Sequence, residues 1–217
     1  MNENSYLDPE AIKKSCTGAS KKLKSNNDEI LAAETAVKDF LNNSELQGLA
    51  FENVRMQMED YSMILRTMRA ANCSDISDFN TLSGSVGDEE LDGAKILEQQ
   101  NLDLALVQGL LYEAWKKKEE KYDAIDNATA KLFTTVGSMR SIAREGLEYM
   151  KNAYRNGNYD TSVRDSWRMR MQNCYFTRFM PTDSTGNTTI NWDEIEKTVG
   201  KDASEITAEE SVSYTHL

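Results

Sequence analysis

Between Pro9 and Pro181 the chain contains no proline, a span of about 170 residues. Proline removes a backbone N–H donor and clashes with the preceding helical turn, so its absence leaves this span open to long helices. The chain has 217 residues, of which 39% are hydrophobic and 28% charged, which suffices for one main apolar core. These features favour an all-α chain with one substantial domain over a loop-rich β fold.

The first helix is predicted to start at Asp8. Asp8 can accept hydrogen bonds from free N–H groups, Pro9 suits the first helical position, and Glu10 suits the positive end of the helix dipole. Apolar and small residues then recur at spacings of three, four or seven, the pattern of one buried helix face: Ile12, Cys16, Ala19, Leu23, Asn27, Ile30, Val37 and Leu41. This stripe predicts a bundle helix about 30 residues and roughly 50 Å long.

A short polar turn at residues 42–44 separates this helix from a second one. Ser44 and Gln47 match a capping box, in which each side chain satisfies a backbone N–H at the helix start. The second apolar stripe contains Leu46, Ala50, Val54, Met58, Tyr61, Leu65 and Met68. Two long amphipathic helices joined by a short polar break predict an antiparallel hairpin.

Gly48 falls in the first turn of that second helix, although alanine is the better helix former. A residue without a side chain allows a neighbouring helix or a partner to approach the backbone closely. We therefore expect Gly48→Leu to disturb hairpin closure or partner binding more than Gly48→Ala does.

Residues 72–93 are rich in Gly, Ser, Asn and Asp and are predicted to form a loop, with room for one helical turn around residues 76–79. Helical spacing resumes from Ile96 to Ile125, and a further stripe from Leu132 to Tyr154 continues it in phase. We place a turn near residues 126–127, because an unbroken helix of about 60 residues would leave much of its apolar stripe without partners. A single helical rod remains the alternative.

The predicted fold is therefore all-α, an elongated antiparallel helical bundle with a short irregular C-terminal appendage. We assign residues 1–160 to the helical domain and residues 161–210 to a linker and the start of a truncated downstream region. Residues 167–180 combine aromatic side chains with arginines. We expect them to pack as a short strand or helix against the bundle, with nucleic-acid binding as the alternative. Residues 211–217 look like a translated sequencing adapter and are expected to be non-native.

Charge and residue usage exclude several classes of function. The net charge is −11 and no third of the chain is basic, which argues against nucleic acid and anionic membranes as partners. His216 is the only histidine, so we expect no His-dependent triad and no zinc site. Glu-x-x-His, P-loop, GxGxxG and GxSxG patterns are absent, so we predict a non-enzyme without metal or cofactor. Cys16, Cys73 and Cys174 are predicted to be small apolar fillers.

The N-terminal residues are polar and acidic and do not resemble a signal peptide. No apolar stretch reaches the length of about 18 residues that a membrane-spanning helix needs. We therefore expect a protein that is made in the cytoplasm and, if it is exported, does not use the general signal-peptide route.

Leu46-Gln47-Gly48, placed between two long helices, matches a Leu-x-Gly triplet, and Ala50 and Asn53 match the small and polar positions that tend to follow it. This layout resembles the LXG domain that begins many polymorphic toxins of Gram-positive bacteria. In that domain a leucine replaces the tryptophan of the WXG-motif secreted hairpins, and further helices follow. The resemblance covers about residues 8–160.

The resemblance implies a WXG-like helical hairpin that acts as the non-catalytic export and partner-binding module of a toxin secreted by the type VII machinery. It implies small helical WXG-like proteins as partners, together with the secretion machinery. Met56 and Met63 lie off the second stripe and are candidate interface residues, because methionine adapts to helix grooves. The alternative is a cytoplasmic or prophage helical scaffold protein, which would explain the acidic helices equally well.

Overall fold

The computed structural model of the chain describes residues 4–45, 47–106 and 112–179. The elements in chain order are β1 (Tyr6–Leu7), α1 (Pro9–Leu41), α2 (Leu49–Ser85), β2 (Leu91–Asp92), α3 (Gly93–Leu106), α4 (Tyr112–Thr129), α5 (Thr134–Met150), a π-helical turn (Lys151–Arg155) and α6 (Thr161–Phe179). The all-α prediction is confirmed, because the strands within these ranges form only one short antiparallel pair.

The chain divides into two compact units. Unit 1 consists of Met1–Lys21 and Asp78–Leu132, and unit 2 consists of Lys22–Ser77 and Phe133–Leu217. Helices α1 and α2 each contribute residues to both units. Neither unit is therefore a continuous stretch of the sequence.

Unit 1 contains the predicted start of the first helix. Asp8 Oδ1 accepts a hydrogen bond from the backbone N–H of Ala11 at 2.9 Å, and Pro9 is the first residue of α1. Next to this start, β1 pairs with β2, and buried apolar side chains form the core around the pair: Leu7, Val86, Leu91, Ile96 and Ile125. The local sequence thus predicted the helix start, and the strand pairing adds a contact between residues far apart in the chain.

Helices α3 and α4 share this core of unit 1. Ile96 of α3 and Ile125 of α4 belong to the same apolar cluster. On one continuous helix these two residues would be about 43 Å apart. The single-rod alternative is therefore wrong for this segment, and the helical spacing from Ile96 to Ile125 belongs to two helices that pack on a common core.

In unit 2, α1 and α2 form the predicted antiparallel hairpin through polar side chains that we call the polar seam. Asn72 Nδ2 donates to Asn26 Oδ1 at 2.7 Å and to Asn27 Oδ1 at 2.9 Å. Further along, Arg69 Nη1 donates to Glu34 Oε2 at 3.2 Å. Since residue numbers rise along α1 as they fall along α2, the two helices run in opposite directions.

The predicted loop at residues 72–93 is wrong over its first part, because α2 continues as a helix to Ser85. The polar residues that suggested a loop include Asn72, Ser74, Asp75 and Asp78, and all four are buried. Asp75 pairs with Arg140 of α5, and Asn72 belongs to the polar seam. Such side chains favour loops when they bond to their own backbone, whereas partners on other helices hold Asn72 and Asp75 within α2.

The turn predicted near residues 126–127 exists but lies a few residues later. Helix α4 ends at Thr129 and α5 begins at Thr134. Between them, Phe133 has a φ of 64°, a left-handed conformation that interrupts a right-handed helix. This backbone preference is not visible in the sequence, because phenylalanine rarely adopts it.

Helix α6 packs against α2 and α5 in the apolar core of unit 2, whose buried residues are Ile64, Ile142, Ala143, Tyr149, Met150, Ala153, Trp167 and Met171. The expected packing of the aromatic and arginine segment is confirmed for a helix. Its arginines Arg168 and Arg170 pair with carboxylates of α2 and α5. These intramolecular ion pairs do not support the nucleic-acid alternative. The core of unit 2 thus crosses the boundary that we placed at residue 160.

Several predictions fall outside the described residues. These concern Leu46, the side chain of Cys174, residues 180–210 of the linker, His216 and the tail at residues 211–217.

The polar seam predicts a stability effect at Asn72. We expect Asn72→Ala to lower the free energy of unfolding by about 1–3 kcal/mol, because the carbonyl oxygens of Asn26 and Asn27 lose their donor in a part-buried site. The matched control is Asn53→Ala, an exposed position of the same helix, which should be neutral or slightly stabilising because alanine is the better helix former. Urea denaturation followed by circular dichroism measures both. Equal effects of the two substitutions would contradict a role for the seam.

Candidate functional site

The hairpin turn of unit 2 begins where α1 ends. The backbone N–H of Asn42 donates to the carbonyl of Lys38 at 2.9 Å and closes the last turn of α1. Asn43 Oδ1 then accepts a hydrogen bond from the backbone N–H of Glu45 at 2.9 Å. An asparagine that bonds two residues ahead makes a local turn, so this part of the predicted break follows directly from the sequence.

Arg55 ties the turn to α2. Its guanidinium donates to the backbone carbonyl of Leu41, and its Nη2 donates to the carbonyl of Asn43 at 2.7 Å. Carbonyls at a helix C-terminus lack intrahelical partners and carry partial negative charge, so an arginine there both satisfies and stabilises them. The sequence did not predict this role, because nothing near Arg55 indicates that its partner lies at the end of the preceding helix.

Gly48 marks the start of α2. Its carbonyl accepts hydrogen bonds from the N–H groups of Phe51 at 2.9 Å and Glu52 at 3.1 Å, and Leu49 is the first helical residue. The structure therefore differs from the predicted capping box, which places the helix start at Ser44. Instead, Gln47 Nε2 donates to the backbone carbonyl of Ser44 at 3.2 Å. Ser44 and Gln47 shape the turn before the helix.

The reason for a glycine at position 48 is its backbone conformation. Gly48 has a φ of +106°, which residues with a side chain rarely adopt. A Cβ atom placed on Gly48 would meet no other atom within 4 Å in the described part of the chain. The close approach that we expected is therefore not made by any of the described residues, and the positive φ accounts for the glycine.

Apolar side chains next to this glycine are exposed. Leu49 is 85% exposed and Phe51 is 38% exposed. Ala50 and Asn53, the other positions of the motif, are exposed as well, whereas Leu46 is not among the described residues. An exposed leucine is ordinary by itself, but Leu49 continues an apolar helix face.

That face runs along α2 through Leu49, Met56 and Met63, which are spaced by seven residues, or two helical turns. Met56 and Met63 are both partly buried, and Leu49 is open to solvent. The two methionines were predicted as interface candidates because they lie off the second apolar stripe. Met63 packs against the core of unit 2, so Leu49 and Met56 are the better candidates for an interface. We call Leu49 and Met56 the hairpin-tip patch.

A family model described as the LXG domain of the WXG superfamily matches residues 5–154 of the 217. The chain belongs to the LXG domain family. No curated protein and no solved structure gave a match. The resemblance inferred from the Leu-x-Gly triplet is thereby confirmed, and the hairpin turn with Gly48 lies well inside the matched segment. Helix α6 begins beyond the end of that segment.

Other features of the LXG domain bear on its chemistry. Among the described residues, no group of three or more His, Cys, Asp and Glu side chains is placed to hold a metal ion. Cys16 and Cys73 are both buried. Burial raises the pKa of the Cys16 thiol and fits its predicted role as an apolar filler, whereas Cys73 Sγ accepts a hydrogen bond from Asn27 Nδ2 at 3.2 Å and therefore also makes a polar contact. Of the helices within the described ranges, none combines the length and the apolar character that membrane crossing requires.

The backbone of Gly48 predicts the effect of substitutions on this LXG domain. Gly48→Ala should destabilise the protein by about 1–3 kcal/mol, because a side chain is strained at this φ. Gly48→Leu should cost about the same, since Gly48 is exposed and no described residue lies within 4 Å of the new Cβ. Thermal unfolding of the two variants measures the difference.

Gly18 supplies the control for this measurement. It lies within α1 and its added Cβ would also meet nothing within 4 Å. Gly18→Ala should therefore stabilise the LXG domain by about 0.5–1 kcal/mol, the usual gain of alanine over glycine in a helix. If Gly48→Leu cost much more than Gly48→Ala, the account based on backbone conformation would be wrong.

Proposed function

We propose that this LXG domain is the export and partner-binding module of an effector secreted by the type VII machinery of a Gram-positive bacterium, and that the module itself is non-catalytic. Membership of the LXG family supports the proposal. The observation that carries it at the level of residues is the hairpin-tip patch, an apolar surface beside the Leu-x-Gly turn. The proposed partners are small helical WXG-like proteins, followed by the secretion machinery.

The patch has the properties of a helix-docking surface. Leu49 and Met56 lie two helical turns apart on one face of α2, the spacing with which amphipathic helices engage one another. Further along the same face, the protein's own α5 and α6 cover α2 in unit 2. A partner helix at the tip would extend that packing to the exposed residues, and the flexible thioether of Met56 suits such an adaptable contact.

Leu49→Glu tests the patch. Co-expressed with the small helical proteins encoded beside its gene, this variant should bind them about 30-fold more weakly or worse, as expected for a central interface residue that loses its apolar contact and buries a charge. Its stability should change by less than about 0.5 kcal/mol, because the side chain is exposed. Leu102→Glu is the matched control, since Leu102 of α3 is also exposed, at 51%. Titration calorimetry measures the affinities, with the separately purified partner titrated into each variant of the domain.

Export supplies the second readout of the same pair of variants. In the producing bacterium, Leu49→Glu should reduce the amount of full-length protein in the culture medium, and Leu102→Glu should not, with a cytoplasmic protein as the marker for lysis. Unchanged binding and export by Leu49→Glu would overturn the proposed interface. A stable homo-oligomer that forms without any partner would instead favour the alternative, a helical scaffold protein.

Substitutions at Gly48 distinguish a partner that contacts the turn from one that binds further along α2. Because Gly48→Ala and Gly48→Leu are expected to be equally stable, any difference in their affinity for the partner reports on the space around the turn. A partner that approaches the backbone at Gly48 should bind the leucine variant at least tenfold more weakly than the alanine variant, a loss of about 1.4 kcal/mol. Equal affinities would place the partner away from the turn.

A further inference from the structure

Asp60 is a fully buried carboxylate of α2 in unit 2, with no exposed surface. Arg164 of α6 donates through Nε to both of its oxygens, at 3.0 Å and 2.8 Å. Arg168, one turn further along α6, donates to Oδ1. Tyr154, in the π-helical turn, donates its hydroxyl to Oδ2 at 3.0 Å. Helix α6 therefore supplies both of the positive charges that the structure places on Asp60.

A buried charge is tolerated only when it is paired and hydrogen-bonded. Without α6, Asp60 would keep only Tyr154 of these donors, and a single neutral hydroxyl does not neutralise a carboxylate. The hydrogen bond from Arg164 raises the pKa of that guanidinium still further, so it stays charged. Asp60 thus distinguishes a helix that carries two suitably spaced arginines from one that does not.

The apolar side of the same contact has an equally defined pattern. Trp167 and Met171 are almost completely buried, and with the two arginines they occupy positions i, i+3, i+4 and i+7, which form one helix face. Gly146 of α5 and Ile64 of α2 lie beneath them. A Cβ on Gly146 would lie 3.1 Å from Ile64 Cγ1 and 3.3 Å from Met171 Cε. The groove therefore fits this side chain closely.

Helix α6 is nevertheless separate from the rest of unit 2 in several respects. The family match ends at residue 154, before α6 begins. A short non-helical segment with Gly157 at a φ of +72° precedes the helix. Asp160 caps α6 locally, since its Oδ1 accepts from the N–H groups of Ser162 at 2.9 Å and Val163 at 3.2 Å. The start of the helix is thus encoded within its own sequence.

The contact is also less complete than an ordinary core. The indole Nε1 of Trp167 is buried without a hydrogen-bond partner among the described residues. The side chains of Arg164 and Arg168 keep 13% and 24% of their surface exposed. An unsatisfied buried donor lowers the stability of a packed contact, and a partly exposed ion pair contributes less than a fully buried one whose groups are all satisfied. The contact of α6 with α2 and α5 is therefore specific for the two arginines, but it is less stable than a contact in which every buried donor has a partner.

We propose that α2 and α5 form a helix-acceptor groove that recognises its occupant through Asp60, and that α6 is an exchangeable occupant supplied by the same chain. The groove selects a helix with the pattern Arg-x-x-Trp-Arg-x-x-Met, which α6 supplies through Arg164, Trp167, Arg168 and Met171. A second copy of this chain offers the same helix, so α6 can pass between copies. This proposal does not depend on the export function.

A cleavable full-length protein tests the exchange. A protease recognition sequence is inserted between Gly157 and Asn158, in the exposed segment before α6, and the uncut protein must retain the helix content of the parent. Cleavage removes the tether and with it an effective concentration on the order of millimolar. A fluorescent peptide of residues 158–179 is then added in excess. We expect it to replace the resident fragment, with an increase in fluorescence anisotropy and release of the fragment on gel filtration.

Peptide variants test the recognition without altering the protein. The peptide with Arg164→Gln and Arg168→Gln should bind about 100-fold more weakly than the parent peptide, because Asp60 would then be buried without a counter-charge. Arg170→Gln is the matched control. Arg170 pairs with Glu145 at the surface, where both side chains are nearly half exposed, and its loss should change the affinity less than about fivefold. When the protein carries Asp60→Asn, the difference in affinity between the parent peptide and the doubly substituted peptide should become smaller.

Three outcomes would overturn the proposal. If the resident fragment remains bound after days in excess peptide, α6 is a permanent part of the core. If the doubly substituted peptide binds as well as the parent, Asp60 does not select the occupant. If Arg170→Gln costs as much as the double substitution, the groove responds to total positive charge and not to the spacing of two arginines.

Discussion

Asn72 joins three helices of unit 2 at one point. Its amide nitrogen donates to Asn26 and Asn27 of α1, and its oxygen accepts from Arg140 of α5 at 3.5 Å. These bonds require Asn72 to project from a helix, so they hold α2 helical through a segment whose composition favours a loop. Because α2 continues through this segment, one helix presents Asn72 to α1 and Asp75 to Arg140 of α5.

Features encoded by neighbouring residues could be predicted from the sequence. Asp8 and Pro9 specify a helix start through contacts within one turn, and the apolar stripe of α1 needs only the helical period. The family resemblance is also local, because it rests on Leu46 and Gly48 between two long helices. The structure agrees with the sequence at Asp8, Pro9 and the α1 stripe. Gly48 precedes the helix instead of lying in its first turn, and Leu46 lies outside the described residues.

Features that depend on distant partners could not be predicted. The buried polar residues from Asn72 to Asp78 resemble a loop until their partners on α1 and α5 are known. Arg55 looks like an ordinary surface residue until it reaches the end of α1. At the candidate site, Met56 and Met63 share one pattern in the sequence, and only the structure shows that Met63 packs against the core of unit 2. Asp60 gave no sequence signal, because a single aspartate in an acidic chain is unremarkable until two arginines of α6 are placed beside it.

The conformation of Gly48 implies that the turn and the partner specificity depend on different residues. A glycine that is needed for its backbone angle reports on how the chain reverses direction, and it would be needed whatever protein is bound. In the proposed binding mode, the identity of the partner is encoded by side chains near the turn, such as those at positions 49 and 56. Two chains that share the Leu-x-Gly triplet can therefore bind different partners, because the triplet forms the turn and the side chains beside it determine specificity.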